Sequence, residues 1–280
     1  TGNGGNDTLQ GKAGNDTMTG NAGNDTFKVD SGSDIITDLV PHCKRLIVSS
    51  HYPYINTPAM WGRDQYGEHF SAIRENKDFH IFASSQKDID TYVDYGAVVE
   101  NTWLSKLGVR CDPYQFNEYA QFDRTLHFSQ ICDRKRQYIL EGLNDIDIFG
   151  RREAGRFRGK HYQGELERDI LNQAITNYSN FILLSEVENT TPLVVKEALI
   201  CGLGVVVSEA VAPELDTSKS FIDVIPEDKI FDHQYIQSVV DKNKRHSRQI
   251  RKEIRRYGID TFGLENILAY EYIPKLKSLL

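Results

Sequence analysis

The chain has 280 residues, room for two domains, with 33 lysines and arginines against 40 aspartates and glutamates and a net charge of −7. That acidic balance argues against nucleic acid as the main partner, because phosphate backbones are held by basic surfaces. No apolar run is long enough to span a bilayer, no signal peptide is visible, and Cys43, Cys111, Cys132 and Cys201 show neither paired nor zinc-binding spacing, so reduced thiols are expected.

The first element is a nine-residue repeat: GNGGNDTL, GKAGNDTM and GNAGNDTF bring Gly5, Gly14 and Gly23 into register, and likewise Asp7, Asp16 and Asp25. Glycine and asparagine permit tight loops, aspartate supplies oxygen ligands for a hard cation, and an apolar residue recurs at Leu9, Met18 and Phe27. The pattern resembles the calcium-binding repeats of RTX proteins, with Asn3, Lys12 and Asn21 in place of the second glycine. The resemblance implies half a turn of a parallel β-roll per repeat and Ca2+ bound through Asp7, Asp16 and Asp25. Three repeats are near the minimum that buries anything by stacking, so the segment is expected to end a longer array and to need calcium for its order.

Phe27 to Leu39 still resembles the end of such an array, which sets a join near residues 38–44. Beyond it, Leu46 to Ser49 reads as a strand running to His51, and Asp78 to Ala97 as a strand followed by a helix, with Trp61, Tyr66 and His69 in the polar, aromatic stretch between. Leu107 to Phe116 reads as a connection, Thr125 to Ser129 as a short strand, and CDRKRQYIL as a run into a helix carrying Arg134, Lys135 and Arg136. Ile146 to Gly150 is a second strand, Tyr162 to Leu166 opens the next unit, and Leu166 to Tyr178 is expected to be helical. Asp145 and Asp147 spell a pair of the kind that holds a divalent metal. Asp147, however, alternates with Ile146 and Ile148 inside the strand, whereas such ligands sit on the loop at a strand's end, and no catalytic metal is expected.

FILLSEVENTTPLVVKEALICGLGVVVS, Phe181 to Ser208, reads as strand, loop, helix and strand. Phe181 to Leu184 is apolar on both faces, as a strand in a covered parallel sheet must be. A helix begins near Leu193 and carries Glu197, Gly202 and Gly204 are expected to end it, and Val205 to Val207 form the next strand. A βαβ unit presents its loop and helix N-terminus at the carboxyl edge of the sheet, where backbone N–H groups favour a phosphate. Farther on, Tyr235 to Tyr257 is expected to be one helical stretch with Lys244, Arg248, Arg251, Lys252 and Arg255 as a basic stripe, read either as a solvated face or as a peripheral contact with an anionic membrane.

Phe181 to Ser208 resembles the donor-binding half of GT-B glycosyltransferases of the retaining, sucrose-synthase-like and mannosyltransferase-like group: a loop glutamate, about seven residues, a Glu-Ala pair and a Gly-Leu-Pro-Val-Val strand. Glu188 and Glu197 fill the two acidic positions, with eight residues between them and Gly204 where the family has proline. Leu107 to Phe116 resembles the family's interdomain connection, and Phe262 to Leu276 its last helix, which packs back across the domain interface. The resemblance implies an α/β architecture: a Rossmann-type donor domain at 109–261, a C-terminal helix at 262–280, a short or truncated acceptor-side domain at 39–108, and the β-roll at 1–38. It implies that Glu197 binds the ribose, that Glu188, with Asn189 and Thr190 beside it and Glu186 as an alternative, binds sugar hydroxyls, and that Lys135 holds the diphosphate. Gln130 stands at the family's arginine position, leaving Arg134 or Arg136 to supply that charge. His51 matches a histidine that faces the donor phosphates and sugar.

The implied activity is transfer of a sugar from a UDP- or GDP-sugar to a glycan or lipid-linked hydroxyl, retaining and metal-independent, in the cytoplasm, although calcium repeats belong outside the cell. Only about seventy residues lie between the join and the connection, against roughly 150 for a complete acceptor domain. The chain also starts in mid-repeat without an initiator Met. The expectation is therefore a mosaic in which an RTX end replaces missing strands. The alternatives are a calcium-dependent secreted binding module whose α/β part is an inactive scaffold, and a GT-B-like epimerase or phosphorylase.

Overall fold

The computed structural model describes residues 4–5, the strand segments 8–10, 17–18, 26–28, 35–36 and 46–50, and residues 79–279. Asp7, Asp16, Asp25, His51, Trp61, Tyr66, His69 and Cys43 lie outside the described residues, as do the side-chain directions of Leu9, Met18 and Phe27. The chain divides into two compact units, 1–104 and 105–280.

In the first unit, β1 (Thr8–Gln10) pairs in parallel with β3 (Thr26–Lys28), and β2 (Thr17–Met18) with β4 (Ile35–Ile36). Thr8 meets Thr26 and Thr17 meets Ile35, so each repeat pairs with the one two nonapeptides on. That interval is what half a turn per repeat requires. Gly5, in the bend before β1, has φ +150°, backbone that residues with a Cβ rarely adopt. The same unit contains a parallel three-stranded sheet, β5 (Leu46–Ser50), β6 (Phe79–Ala83) and β7 (Thr102–Leu104), in that spatial order. Between β6 and β7 runs α1 (Gln86–Asp94), whose first turn is capped by the Ser85 hydroxyl accepting from the Asp88 N–H at 3.1 Å.

The second unit is a six-stranded parallel sheet in the order β10-β9-β8-β11-β12-β13. Its strands are β8 (Thr125–Phe128), β9 (Ile146–Phe149), β10 (Tyr162–Gly164), β11 (Asn180–Leu183), β12 (Gly204–Ser208) and β13 (Ile222–Ile225). Chain order runs outward from β8 to one edge and then from β11 to the other, so the direction of winding reverses between these two strands. In an open sheet of this kind ligands bind at that reversal, outside the carboxyl ends. The helices are α2 (Gln137–Leu140), α3 (Arg168–Ala174), α4 (Leu193–Ile200), α5 (His233–Ser247) and α6 (Arg251–Phe262), followed by α7 (Leu264–Ile267), a π-helical turn (Leu268–Tyr272) and α8 (Ile273–Ser278).

Both faces of the sheet are covered. Leu126, Phe181, Leu183, Val205 and Val207 pack with α4 and α6, while Ile146, Ile148, Ile182 and Val206 pack with α2 and α5. This double burial is why β11 and β12 read as continuous apolar runs. Gly202, at φ +79°, ends α4, but Gly204 does not: it is the first residue of β12. A Cβ there would lie 1.8 Å from Ser247 Oγ, so the close approach of α5 requires glycine at this position.

The single helix expected over Tyr235 to Tyr257 is two helices, and its basic stripe is broken. Lys244 is buried, and Arg251 is 2% exposed, its guanidinium donating to the carbonyls of Tyr178 at 2.7 Å and Asn117 at 3.1 Å. Arg251 closes the ends of neighbouring loops, a task that needs several donors in one planar fork, and burial lowers its pKa to about 10. No helix among the described residues is long and apolar enough to cross a membrane.

Candidate functional site at the carboxyl edge

The loops that leave β8 and β11 meet at the sheet's winding reversal. After β8, Asp133–Lys135 form a 3-10 turn, and Arg136 at φ +53° redirects the chain into α2. After β11, Ser185 to Pro192 lead into α4, and the Glu186 N–H donates to the Arg134 carbonyl at 2.9 Å, joining the two loops. The Lys135 ammonium is ion-paired with Glu188, and both side chains are nearly buried. Arg134, half exposed, reaches Glu188 at 3.4 Å and the Val187 carbonyl at 3.1 Å.

Of the two candidates to replace the charge missing at Gln130, Arg134 faces this pair. Arg136 turns away and is held by Glu227, with its Nη1 at 3.0 Å from Oε2. Gln130 is exposed and donates to Glu153. Beside the ion pair, the buried hydroxyls of Ser185 and Thr190 have no hydrogen-bond partner. An orphaned buried hydroxyl is unfavourable, so two of them on one loop mark a place where a polar ligand can complete the bonding. Asn189 lies between Glu188 and Thr190 on the same loop. Glu186 is exposed, which leaves Glu188 as the carboxylate on the cations.

His127, missed in the sequence, lies close enough to Lys135 to be influenced by its charge. It is fully buried on β8, with Nδ1 2.8 Å from the Ile182 carbonyl and Nε2 near Ser129 Oγ and the Gln137 amide at 3.0 and 3.1 Å. The carbonyl contact assigns the proton to Nδ1. Burial lowers its pKa to about 4, so the ring is neutral at ordinary pH. Gln137 also donates to the Gln130 carbonyl at 2.9 Å, which fixes the end of β8 beneath the cation-bearing turn.

Glu197 belongs to a second cluster. It lies on α4, 4% exposed, and both its oxygens are taken by the Arg168 guanidinium from the first turn of α3, Nη1 to Oε2 at 3.4 Å and Nη2 to Oε1. Arg168 also donates to the Tyr114 hydroxyl. Burial, reinforced by Glu197, raises the Tyr114 pKa well above the usual phenol range, so the hydroxyl stays protonated. The structure therefore unites Lys135, Arg134 and Glu188 and places Glu197 in a separate group. Neither Arg168 nor Tyr114 carries a local sequence signal, because the trio comes from three distant segments. Asp147, the rejected metal ligand, accepts from Arg124 at 2.7 Å and from Tyr178 at 3.0 Å. Two shallow surface depressions of about 270 and 260 Å3 involve α6 and the C-terminal helices and include none of these residues.

Residues 1–36 match the family described as the RTX calcium-binding nonapeptide repeat (4 copies). No match is found among curated protein sequences. Among solved structures, the chain is similar to HepE from Anabaena, in a complex with UDP and glucose, at 16% identity over 83% of this chain and 71% of that one, TM-score 0.60. It is similar to WaaG, a glycosyltransferase involved in lipopolysaccharide biosynthesis, at 14% identity over 91% of each chain, TM-score 0.58. A third likeness, to TarM, has 15% identity over 84% of this chain and 50% of that one, TM-score 0.61. The fold is that of the GT-B glycosyltransferases, preceded by RTX repeats.

Proposed function

We propose that residues 105–280 bind a nucleotide sugar and that the protein transfers its sugar to a hydroxyl of a glycan or lipid-linked acceptor with retention of configuration. The observation that carries this reading is the Lys135, Arg134 and Glu188 cluster at the winding reversal of a doubly wound sheet, with two partnerless hydroxyls beside it. HepE, which shares the fold, is also described in a complex with UDP-glucose.

In this reading Lys135 and Arg134 hold the diphosphate and offset the charge that develops on it as it leaves. The bond between the anomeric carbon and the phosphate oxygen breaks, the acceptor oxygen takes its place, and the acceptor proton leaves with the nucleoside diphosphate. Glu188 and Thr190 take sugar hydroxyls, and Glu197 takes the ribose. Cations on the chain supply the neutralisation, and the transfer needs no metal. Sugar nucleotides are cytosolic, which favours the cytoplasm for this activity, against the extracellular setting that calcium repeats suggest.

Calorimetry of the whole chain with UDP-, GDP- and free nucleotide forms tests the reading. Saturable binding weakened by Lys135→Ala and by Glu197→Ala is expected; absence of heat with every nucleotide, from folded protein, ends it.

A second reading has its own observation, the two-repeat strand interval in residues 1–36. Here Asp7, Asp16 and Asp25 hold Ca2+, and the protein is a secreted calcium-dependent binding module with an inactive α/β scaffold. Calcium-induced ordering of the repeats together with no nucleotide affinity favours it.

A further inference from the structure

The strongest unassigned feature is the way Glu197 is covered. Its side chain is 5% exposed while that of its partner Arg168 is 55% exposed, so the carboxylate sits behind a guanidinium that faces solvent. A carboxylate that receives a fork of two N–H donors presents both oxygens in one plane. A vicinal diol donates to a carboxylate in the same two-pronged way, so the guanidinium and a ribose compete for one pair of oxygens.

More than half of the Arg168 side chain faces solvent, so its departure would not open the core. It extends from the first turn of α3, where no side chain caps the helix, and apart from Glu197 its bonded partner is the Tyr114 hydroxyl. A centroid distance of 5.8 Å also puts its guanidinium over the Tyr114 ring. The neighbouring cluster has the opposite arrangement, an anion resting on cations: Glu188 lies on Lys135 and Arg134.

We infer that Arg168 is a further residue of the donor site, a resident guanidinium that occupies the ribose position on Glu197 and exchanges with the ribose diol when a nucleoside diphosphate binds. The inference rests on the reading that Glu197 receives the ribose. Arg168 sets the threshold for nucleoside recognition: a ligand must offer two hydroxyls good enough to displace a charged fork, which selects ribonucleotides over simple phosphates.

The test uses the full chain with UDP, GDP and inorganic pyrophosphate as calorimetric probes. Arg168→Met is expected to tighten the favoured nucleoside diphosphate about tenfold, because a charge-assisted pair with one half-exposed partner is worth on the order of that factor. Pyrophosphate, which has no ribose, is expected to change less than about twofold, and the gain is expected to vanish in the Arg168→Met, Glu197→Ala double variant. Tyr114→Phe removes one of the two anchors of the guanidinium and is expected to tighten nucleotide by a smaller factor, about threefold; it gives an independent answer should Arg168→Met fail to fold. Nucleotide binding that weakens or stays level in both variants, with the wild type binding normally, overturns the exchange and leaves the donor site standing. Failure of the wild type and both variants to bind UDP or GDP overturns the donor reading and the exchange with it.

Discussion

In residues 1–36 the strands are two or three residues long and pair across a two-repeat interval, whereas in residues 105–280 six strands lie side by side with Phe181, Ile182, Leu183, Val205, Val206 and Val207 fully buried. Both regions are parallel sheet. The larger one is covered on both faces by helices, whereas the repeats match a calcium-binding family, so the proposal for them is that the ion supplies the order that short stacked units lack.

Calcium withdrawal separates them most completely. With excess chelator, amide exchange protection in residues 1–36 is expected to disappear while the melting of residues 105–280 stays where it was. A common loss of protection in both would show that the two regions share one source of stability. The converse lesion is Phe181→Ala, which empties a fully buried site between β8, β12 and α4 and is expected to cost the second unit about 3–5 kcal/mol by urea titration. Calcium uptake by the repeats is expected to survive that change, and its loss would contradict the separation.

Within the larger unit, Lys135→Ala removes the cation held by Glu188 and is expected to weaken nucleoside diphosphate binding by roughly tenfold to a hundredfold, with calcium binding unaffected. Equal affinity before and after the change would remove Lys135 from the site.

A separate effect comes from pH. At neutral pH His127 is uncharged in both states. Below about 6.5 the unfolded chain takes up a proton that the buried ring, with its pKa near 4, does not accept. Its contribution to stability is therefore complete above about pH 6.5 and declines by about 1.4 kcal/mol per pH unit down to about pH 4, where it levels off. His127→Gln is expected to remove that slope from the difference between urea midpoints; an unchanged pH profile would show that another group governs it.

The repeats were the easiest feature to read because the information is local and periodic: glycine and aspartate at fixed offsets define both the loop and the interval at which strands pair. The β11, α4 and β12 segment was nearly as plain, since double burial demands unbroken apolar runs, and Gly202 marks where α4 must stop. The basic stripe misled because charge at helical spacing does not reveal which charges are buried. Arg251 satisfies loop carbonyls inside the unit, and the expected helix breaks over residues 248–250 just before it. Gly204 is explained only by Ser247, a residue from another helix.

By itself, then, the sequence determined the elements and their periods: a calcium-type roll of nonapeptides, parallel strands with hydrophobic faces, and a polar loop bearing glutamates at the start of a helix. Which charges meet was decided by tertiary structure alone. Lys135 finds Glu188 because β8 and β11 are neighbours in the sheet, Arg136 is drawn off by Glu227, and Arg168 reaches Glu197 and Tyr114 across three separate segments. The physical reason is range. Backbone preference and burial patterns act over a few residues, while an ion pair depends on positions in space that only the winding order of the sheet supplies.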